Sequence, residues 1–308
     1  MAFAQAGRRV YRVATLDDAA ENARFRYWQL FRNRLRELVL TEGKDVDYEA
    51  HFASGDHGRL PALAAGLVAS KPDLVVCVGT PATSAVIKAT SEIPTVFVGV
   101  GDPLGSGLVA SLSRPGRNAT GTSSASTEII AKSLELLHEL SPGATRVGYL
   151  TDVSNKATAL AYRQLEKNAH SLELSIQMFD GRESLALERS FATIRQERIQ
   201  GLIVGITPVL LRHRDQIVQF AARERLPVVY GRREYVDAGG LLHFAADQNS
   251  MYLRGAQIAH QILMGVRPAE IPVELPTTFR IVLNLKTART LGIAIPTPMR
   301  MRANEVIE

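Results

Sequence analysis

Cysteine is nearly absent: Cys77 is the single one in 308 residues. Disulfides within the chain are therefore excluded, and so is acid–base chemistry by a pair of cysteines on two sides of a cleft. An oxidising compartment stays open, because a core of this size needs no covalent staples. Cys77 lies in the middle of an apolar run and reads as a small buried hydrophobe. No apolar run approaches the roughly 20 residues that a membrane helix needs. Catalytic signatures are also missing. There is no H-E-x-x-H, no paired Cys/His metal spacing, no G-x-S-x-G elbow and no Walker loop. The seven histidines (51, 57, 138, 170, 213, 243 and 260) are scattered, and none pairs at three or four residues. No metal is expected.

Charge of one sign is not concentrated either. The net charge is +5 with 22% charged residues, and the signs alternate along the chain. The densest basic segment, Arg24–Arg36, mixes five arginines with Phe25, Tyr27, Trp28, Leu30, Phe31 and Leu35. That pattern is an amphipathic helix with a solvated basic face. No helix-turn-helix precedes the first strand, so no nucleic-acid partner is expected. Gly99-x-Gly101-x-x-x-Gly105 follows a strand, but its spacing misses the dinucleotide fingerprint and Pro103 interrupts it. No cofactor is expected.

What is present is a repeated strand-to-loop pattern. DLVVCVG and PTVFVGV are consecutive apolar strands that stop at the loops Gly79-Thr80-Pro81-Ala82-Thr83 and Gly101-Asp102-Pro103. YLTDVSN, LIVGITP and VVYGRRE repeat it in the second half. Strand-like and helix-like segments alternate throughout, which is the signature of parallel βαβ units. The spacing predicts strands near 10–16, 45–52, 73–79 and 94–100, then 146–150, 174–179, 201–205, 227–230, 241–245 and 279–284. It predicts helices near 22–41, 57–70, 81–90, 127–140, 156–170, 184–198, 209–224 and 248–264. The Gly-, Ser- and Thr-rich stretch 114–126 reads as the first crossing between two lobes, and 238–245 as a second. The expected fold class is α/β, with two doubly wound parallel-sheet lobes and a ligand cleft between them.

In parallel sheets the loops at the carboxyl ends of the strands share one edge, where small ligands bind. Gly79, Thr80, Pro81, Ala82 and Thr83 open a helix whose free N–H groups and dipole favour a carboxylate. Asp17, Asp102 and Asp152, at strand ends, could accept from an ammonium or hydroxyls. Gly101 and Pro103 shape the neighbouring turn. Thr151, Asn155, Thr207, Arg232 and Asp247 are the candidates from the second lobe and the return crossing. Each of these polar residues could equally cap its own helix or turn; their convergence on one edge is the argument for a site. Thr80 is expected to hold a carboxylate, and Asp102 or Asp247 an amine or hydroxyl.

The segments VGTPATSA (78–85), IPTVFVGVGDPLGSGLVASLSRPGRNATG (93–121), LPVVYGRREYVDAGGLL (226–242) and FRIVLNLKTARTLGIAIP (279–296) resemble the substrate-binding proteins of an ABC-transporter family that includes tryptophan and tyrosine binders. The likeness spans residues 8–308. It implies a type I periplasmic-binding-protein fold, with lobes formed by 8–122 plus about 246–272 and by 123–245 plus about 273–308. It implies hinge closure about crossings near 122–126, 243–247 and 270–278. It also implies a small-molecule ligand, a periplasmic location, a monomer, and delivery to an ABC permease with its ATPase. Ala4-Gln5-Ala6 has the small-x-small form of a signal-peptidase site, so residues 1–7 read as the remnant of an export signal. No lipobox cysteine follows it. Where the family carries an aromatic or Asn-Pro pair this chain has Thr151–Asn155, and where the family has Asp-Pro it has Ile206-Thr207-Pro208, so the ligand is open; an aromatic amino acid or aromatic acid is the leading expectation. A ligand-sensing module for a signalling partner and a two-lobed isomerase or lyase are the alternatives.

Overall fold

The computed structural model describes residues 9–308; the expected export-signal remnant, 1–7, lies outside them. The described chain divides into two compact units. The first comprises the chain through Ser124 together with Gln248–Pro276, and the second Ala125–Asp247 together with Thr277–Glu308.

In the first unit, β1 (Tyr11–Asp17), β2 (Val46–Phe52), β3 (Leu74–Val78), β4 (Thr95–Val100) and β5 (Ala119–Ser123) form a wholly parallel sheet in the order β2-β1-β3-β4-β5. The half-polar alternation of DVDYEAHF predicts an edge strand, and β2 is the edge. β3 is buried on both faces, as its unbroken apolar run requires. On one face, Ala14, Leu16, Val75 and Cys77 pack against α2 (Leu60–Ala69) and α3 (Gly79–Ala89) through Leu60, Leu67, Ala82 and Val86. The other face is covered by α1 (Glu21–Glu37) and α10 (Gln248–Leu263), where Tyr27 stacks on Tyr252 at 5.3 Å and Gly255 rests on Val98.

One expectation is corrected here. The stretch 114–126 is not simply a crossing, because it contains β5, the fifth strand of this sheet. Its ATGTS sequence looks like a loop, yet all five residues are buried. The hydroxyls are satisfied by backbone: Thr120 donates to the Ile271 carbonyl at 2.7 Å and Ser123 to that of Val100 at 3.0 Å. Gly121 lets the strand press against β4; a Cβ there would stand 1.9 Å from the Phe97 carbonyl oxygen.

In the second unit, β6 (Arg146–Thr151), β7 (Ser175–Asp180), β8 (Gly201–Val204), β9 (Val228–Tyr230), β10 (Leu242–Ala246), β11 (Phe279–Asn284) and β12 (Glu305–Ile307) run in the order β12-β11-β10-β9-β8-β6-β7. The sheet is parallel except for the β10–β11 pair, which is antiparallel. The predicted 209–224 helix is two, α7 (Pro208–Leu211) and α8 (Arg214–Arg223), broken at Arg212-His213. Between β9 and β10 lies a short helix that the spacing did not predict, α9 (Arg233–Asp237). Segment 241–245, expected as a strand within the second crossing, is a strand, β10, and pairs with β9 and β11 inside this sheet. Here α6 (Ser184–Gln196) and α8 cover one face, with Phe191 stacked on Phe220 at 4.0 Å. α4 (Ser126–Leu140) presses Leu137 onto Gly201 from β8. Lys156–Ser171 forms α5.

Candidate functional site

Because the strands of the first unit are all parallel, the loops after β1, β3 and β4 are neighbours on one edge. Asp17, Gly79–Thr83 and Gly101–Pro103 are brought together there. Thr80 Oγ1 accepts the Gly101 N–H at 3.2 Å, which ties the start of α3 to the loop after β4. Asp102 Oδ1 accepts from the Gly105 N–H at 2.8 Å and shapes its own turn. Pro81 sits in the first turn of α3, and the buried Pro103 lends its carbonyl to the Leu108 N–H at 3.0 Å.

Three residues expected at the ligand also make contacts within the protein. Asp17 is fully buried, and its Oδ1 accepts from Arg24 Nη1 at 2.7 Å and the Ala19 N–H at 2.8 Å, while Oδ2 accepts from Trp28 Nε1 at 3.0 Å. These bonds fix α1 to the end of β1. Ala82 points its methyl into the apolar core, and Thr83 donates back to the Gly79 carbonyl at 2.7 Å within α3.

The sequence reading missed Asp18 and Arg24. Arg24 Nη2 lies 3.1 Å from Asp18 Oδ1, and both residues are buried. Burial alone would lower the Arg24 pKa, but the Asp17 and Asp18 carboxylates outweigh it and hold the guanidinium above the ordinary arginine value. Asp18 Oδ2 also stands 2.6 Å from where a Cβ on Gly79 would be. Gly79 has φ +81, which glycine adopts without strain. The chain's own carboxylate thus faces the positive end of α3, where a ligand carboxylate was expected. A signal for this was present: Arg24 falls on the same helical stripe as Trp28, Phe31 and Leu35, which follow it by four, seven and eleven residues. An arginine on an apolar stripe just after Asp-Asp implies a buried ion pair.

The second unit arranges its edge in the order Asp247 after β10, Arg232 after β9, Thr207 after β8, and Thr151 at the end of β6 with Asp152 just after it. Thr151 turns inward: its hydroxyl meets Thr158 at 3.3 Å beside Tyr149, whose phenol burial pushes up to about 12. Asp152 is buried, accepts from the Ser154 N–H at 2.8 Å and its hydroxyl at 2.6 Å, and lies 3.9 Å from Arg182, which itself pairs with Asp180. Asn155 lies in the turn before α5, its carbonyl accepting from the Thr158 N–H at 2.9 Å. The Asp247 N–H donates to the Thr278 carbonyl at 3.0 Å.

Arg232 and Thr207 are different. The Arg232 side chain is 3% exposed. Its Nη2 donates to Glu234 Oε1 at 2.7 Å, but its Nε has no acceptor among the described residues. Burial would raise the Glu234 pKa, and the charge and hydrogen bond of Arg232 override this and hold it below the usual carboxylate value. Thr207 is 7% exposed, and its hydroxyl is likewise without a partner among the described residues. The two loops touch: the Gly231 N–H donates to the Val204 carbonyl at 2.9 Å, and a Cβ on Gly231 would stand 2.3 Å from Ile206 Cγ2. Behind them His243 is buried, with Nδ1–H donating to the Tyr230 carbonyl at 3.1 Å. No group of three or more His, Cys, Asp or Glu that could hold a metal occurs among the described residues, and no helix among them is long and apolar enough to cross a membrane.

A family model described as ABC transporter substrate binding protein matches residues 17–307. A tyrosine-binding protein from Clostridioides difficile (strain R20291) is 24% identical over 263 residues, covering 85% of this chain and 75% of the relative. Among solved structures, a conserved domain protein from Vibrio cholerae superposes with a TM-score of 0.90 at 24% identity, covering 97% of this chain and all of that one. An ABC domain in complex with L-Trp from Streptococcus pneumonia superposes at 0.88, also 24% identical, with 97% and 100% covered. At this identity the likeness establishes the fold, that of periplasmic binding proteins.

Proposed function

The chain belongs to the ABC transporter substrate-binding protein family, and from that membership we propose that it captures a small, carboxylate-bearing ligand of amino-acid type outside the cytoplasm and delivers it to an ABC permease. The observation that carries this reading is the match of one solute-binding family along residues 17–307. The ligands named for two relatives, tyrosine and L-Trp, support an aromatic amino acid. In this reading the protein acts as a monomer in the periplasm. Ligand binds the strand-end loops and shifts a pre-existing conformational equilibrium. It leaves unchanged, as the family is solute-binding rather than catalytic.

A thermal-shift screen of the purified protein tests the proposal against amino acids, aromatic acids, sugars, nucleosides and purines. Ligand at 100 times its dissociation constant adds about 2.7 kcal/mol, a rise of several degrees for units of this size. The expected result is a rise confined to carboxylate-bearing compounds, with the ligand recovered intact by mass spectrometry after long incubation. A rise confined to sugars or nucleosides overturns the ligand class, and a converted ligand overturns simple binding.

A further inference from the structure

Arg232 and Thr207 are both buried at the strand-end edge of the second unit, and each has a hydrogen-bonding atom without a partner among the described residues. A buried donor without an acceptor is costly, more so on a charged group. Asp17 has protein donors on both carboxylate oxygens, Asp152 has them on Oδ1, and Thr151 meets Thr158. At the ends of β8 and β9, by contrast, a guanidinium Nε–H and a hydroxyl sit on two loops already in contact.

We infer that Arg232 Nε and Thr207 Oγ1 form the anchor for the ligand's carboxylate. Arginine's planar guanidinium donates a directed, charge-assisted hydrogen bond from Nε to a carboxylate, a geometry that a lysine ammonium does not reproduce. Glu234 takes one hydrogen of Nη2, and the Nε–H is left for the ligand. Thr207 adds a donor without adding charge. The anchor moves the carboxylate from the start of α3, which Asp18 faces, to the second unit. It also selects the ligand class: a carboxylate satisfies Nε, whereas an amine lacking the acid repels the guanidinium. This inference rests on the solute-binding reading above.

The test is calorimetric titration with L-tyrosine, L-tryptophan and benzoate, and with tyramine and tryptamine as the decarboxylated partners. Variants are Arg232→Gln, Arg232→Lys and Thr207→Val, each checked for wild-type melting. The expected result is at least 100-fold weaker binding of the amines to the wild type. Arg232→Gln should lose about 100-fold on the bound carboxylate, and Arg232→Lys and Thr207→Val about tenfold each, with the amines unaffected. Where Arg232→Gln does not fold, the other two variants decide. Unchanged carboxylate binding in the folded variants overturns the anchor while leaving the solute-binding reading intact. Tyramine binding the wild type as tightly as tyrosine overturns it too. Benzoate binding alone, lost in Arg232→Gln, upholds the anchor and removes the amino-acid ligand. A wild type that binds none of the three carboxylates removes both.

Discussion

Asp18 Oδ2 lies 2.6 Å from the point a Cβ on Gly79 would occupy. The carboxylate and the backbone of the α3 start exclude any side chain between them, and Gly79 also carries φ +81. Gly79→Ala should therefore cost about 1–3 kcal/mol through backbone strain and displacement of Asp18. Thermal unfolding followed by circular dichroism checks this. A melting temperature within a degree of wild type would mean that Asp18 moves aside freely.

Arg24 is the counter-ion of two buried carboxylates. Arg24→Met leaves both without it, and removal of one side of a buried ion pair typically costs about 3–5 kcal/mol. Urea unfolding should register a loss of that order. The same loss should be mostly recovered in Arg24→Met combined with Asp17→Asn and Asp18→Asn. No recovery in the triple variant would show that Arg24 contributes packing rather than charge.

His243 predicts an acid-labile unit. Desolvation lowers its pKa to about 4, whereas the unfolded imidazole titrates at about 6.5. As pH falls through this window the unfolded chain takes up the proton and the folded chain does not, so stability is lost on acidification and fully present above about 6.5. The difference corresponds to about 3 kcal/mol. Comparison of denaturant midpoints for wild type and His243→Gln between pH 7 and pH 4 isolates the term. The variant should show a visibly flatter dependence; parallel curves would place the acid sensitivity elsewhere.

Cys77 should be chemically silent. It is fully buried in β3, and burial, reinforced by the nearby Asp17 charge, pushes its thiol well above the ordinary value. A thiol reagent should label none of the native protein and one thiol per chain after denaturation. Rapid native labelling would reveal frequent local opening of the sheet.

Much of this fold is legible in the sequence because apolar runs and helical stripes are local signals. β3 and β4 stand out as unbroken hydrophobic strands, and the stripe Trp28, Phe31 and Leu35 marks α1. β5 was illegible because ATGTS owes its burial to hydroxyls paired with distant backbone, Thr120 with Ile271 above all. The candidate site divides in the same way. Parallel topology alone brings Asp17, Thr80 and Asp102 to one edge. Which of them is already engaged depends on partners such as Arg24 and Trp28, whose spacing is visible but whose depth is not. Arg232 illustrates the converse, since only the three-dimensional structure reveals that Glu234 satisfies one nitrogen and not another.

Each unit is assembled from separated pieces of chain, with α10 returning to complete the first and β11 and β12 the second. During synthesis, a ribosome that has produced the first 247 residues has released neither unit in finished form. The sheet of the first still lacks the helix that covers Tyr27 and Val98. Neither unit can be completed before Gln248–Glu308 has been made, so the last stretch of the chain closes both.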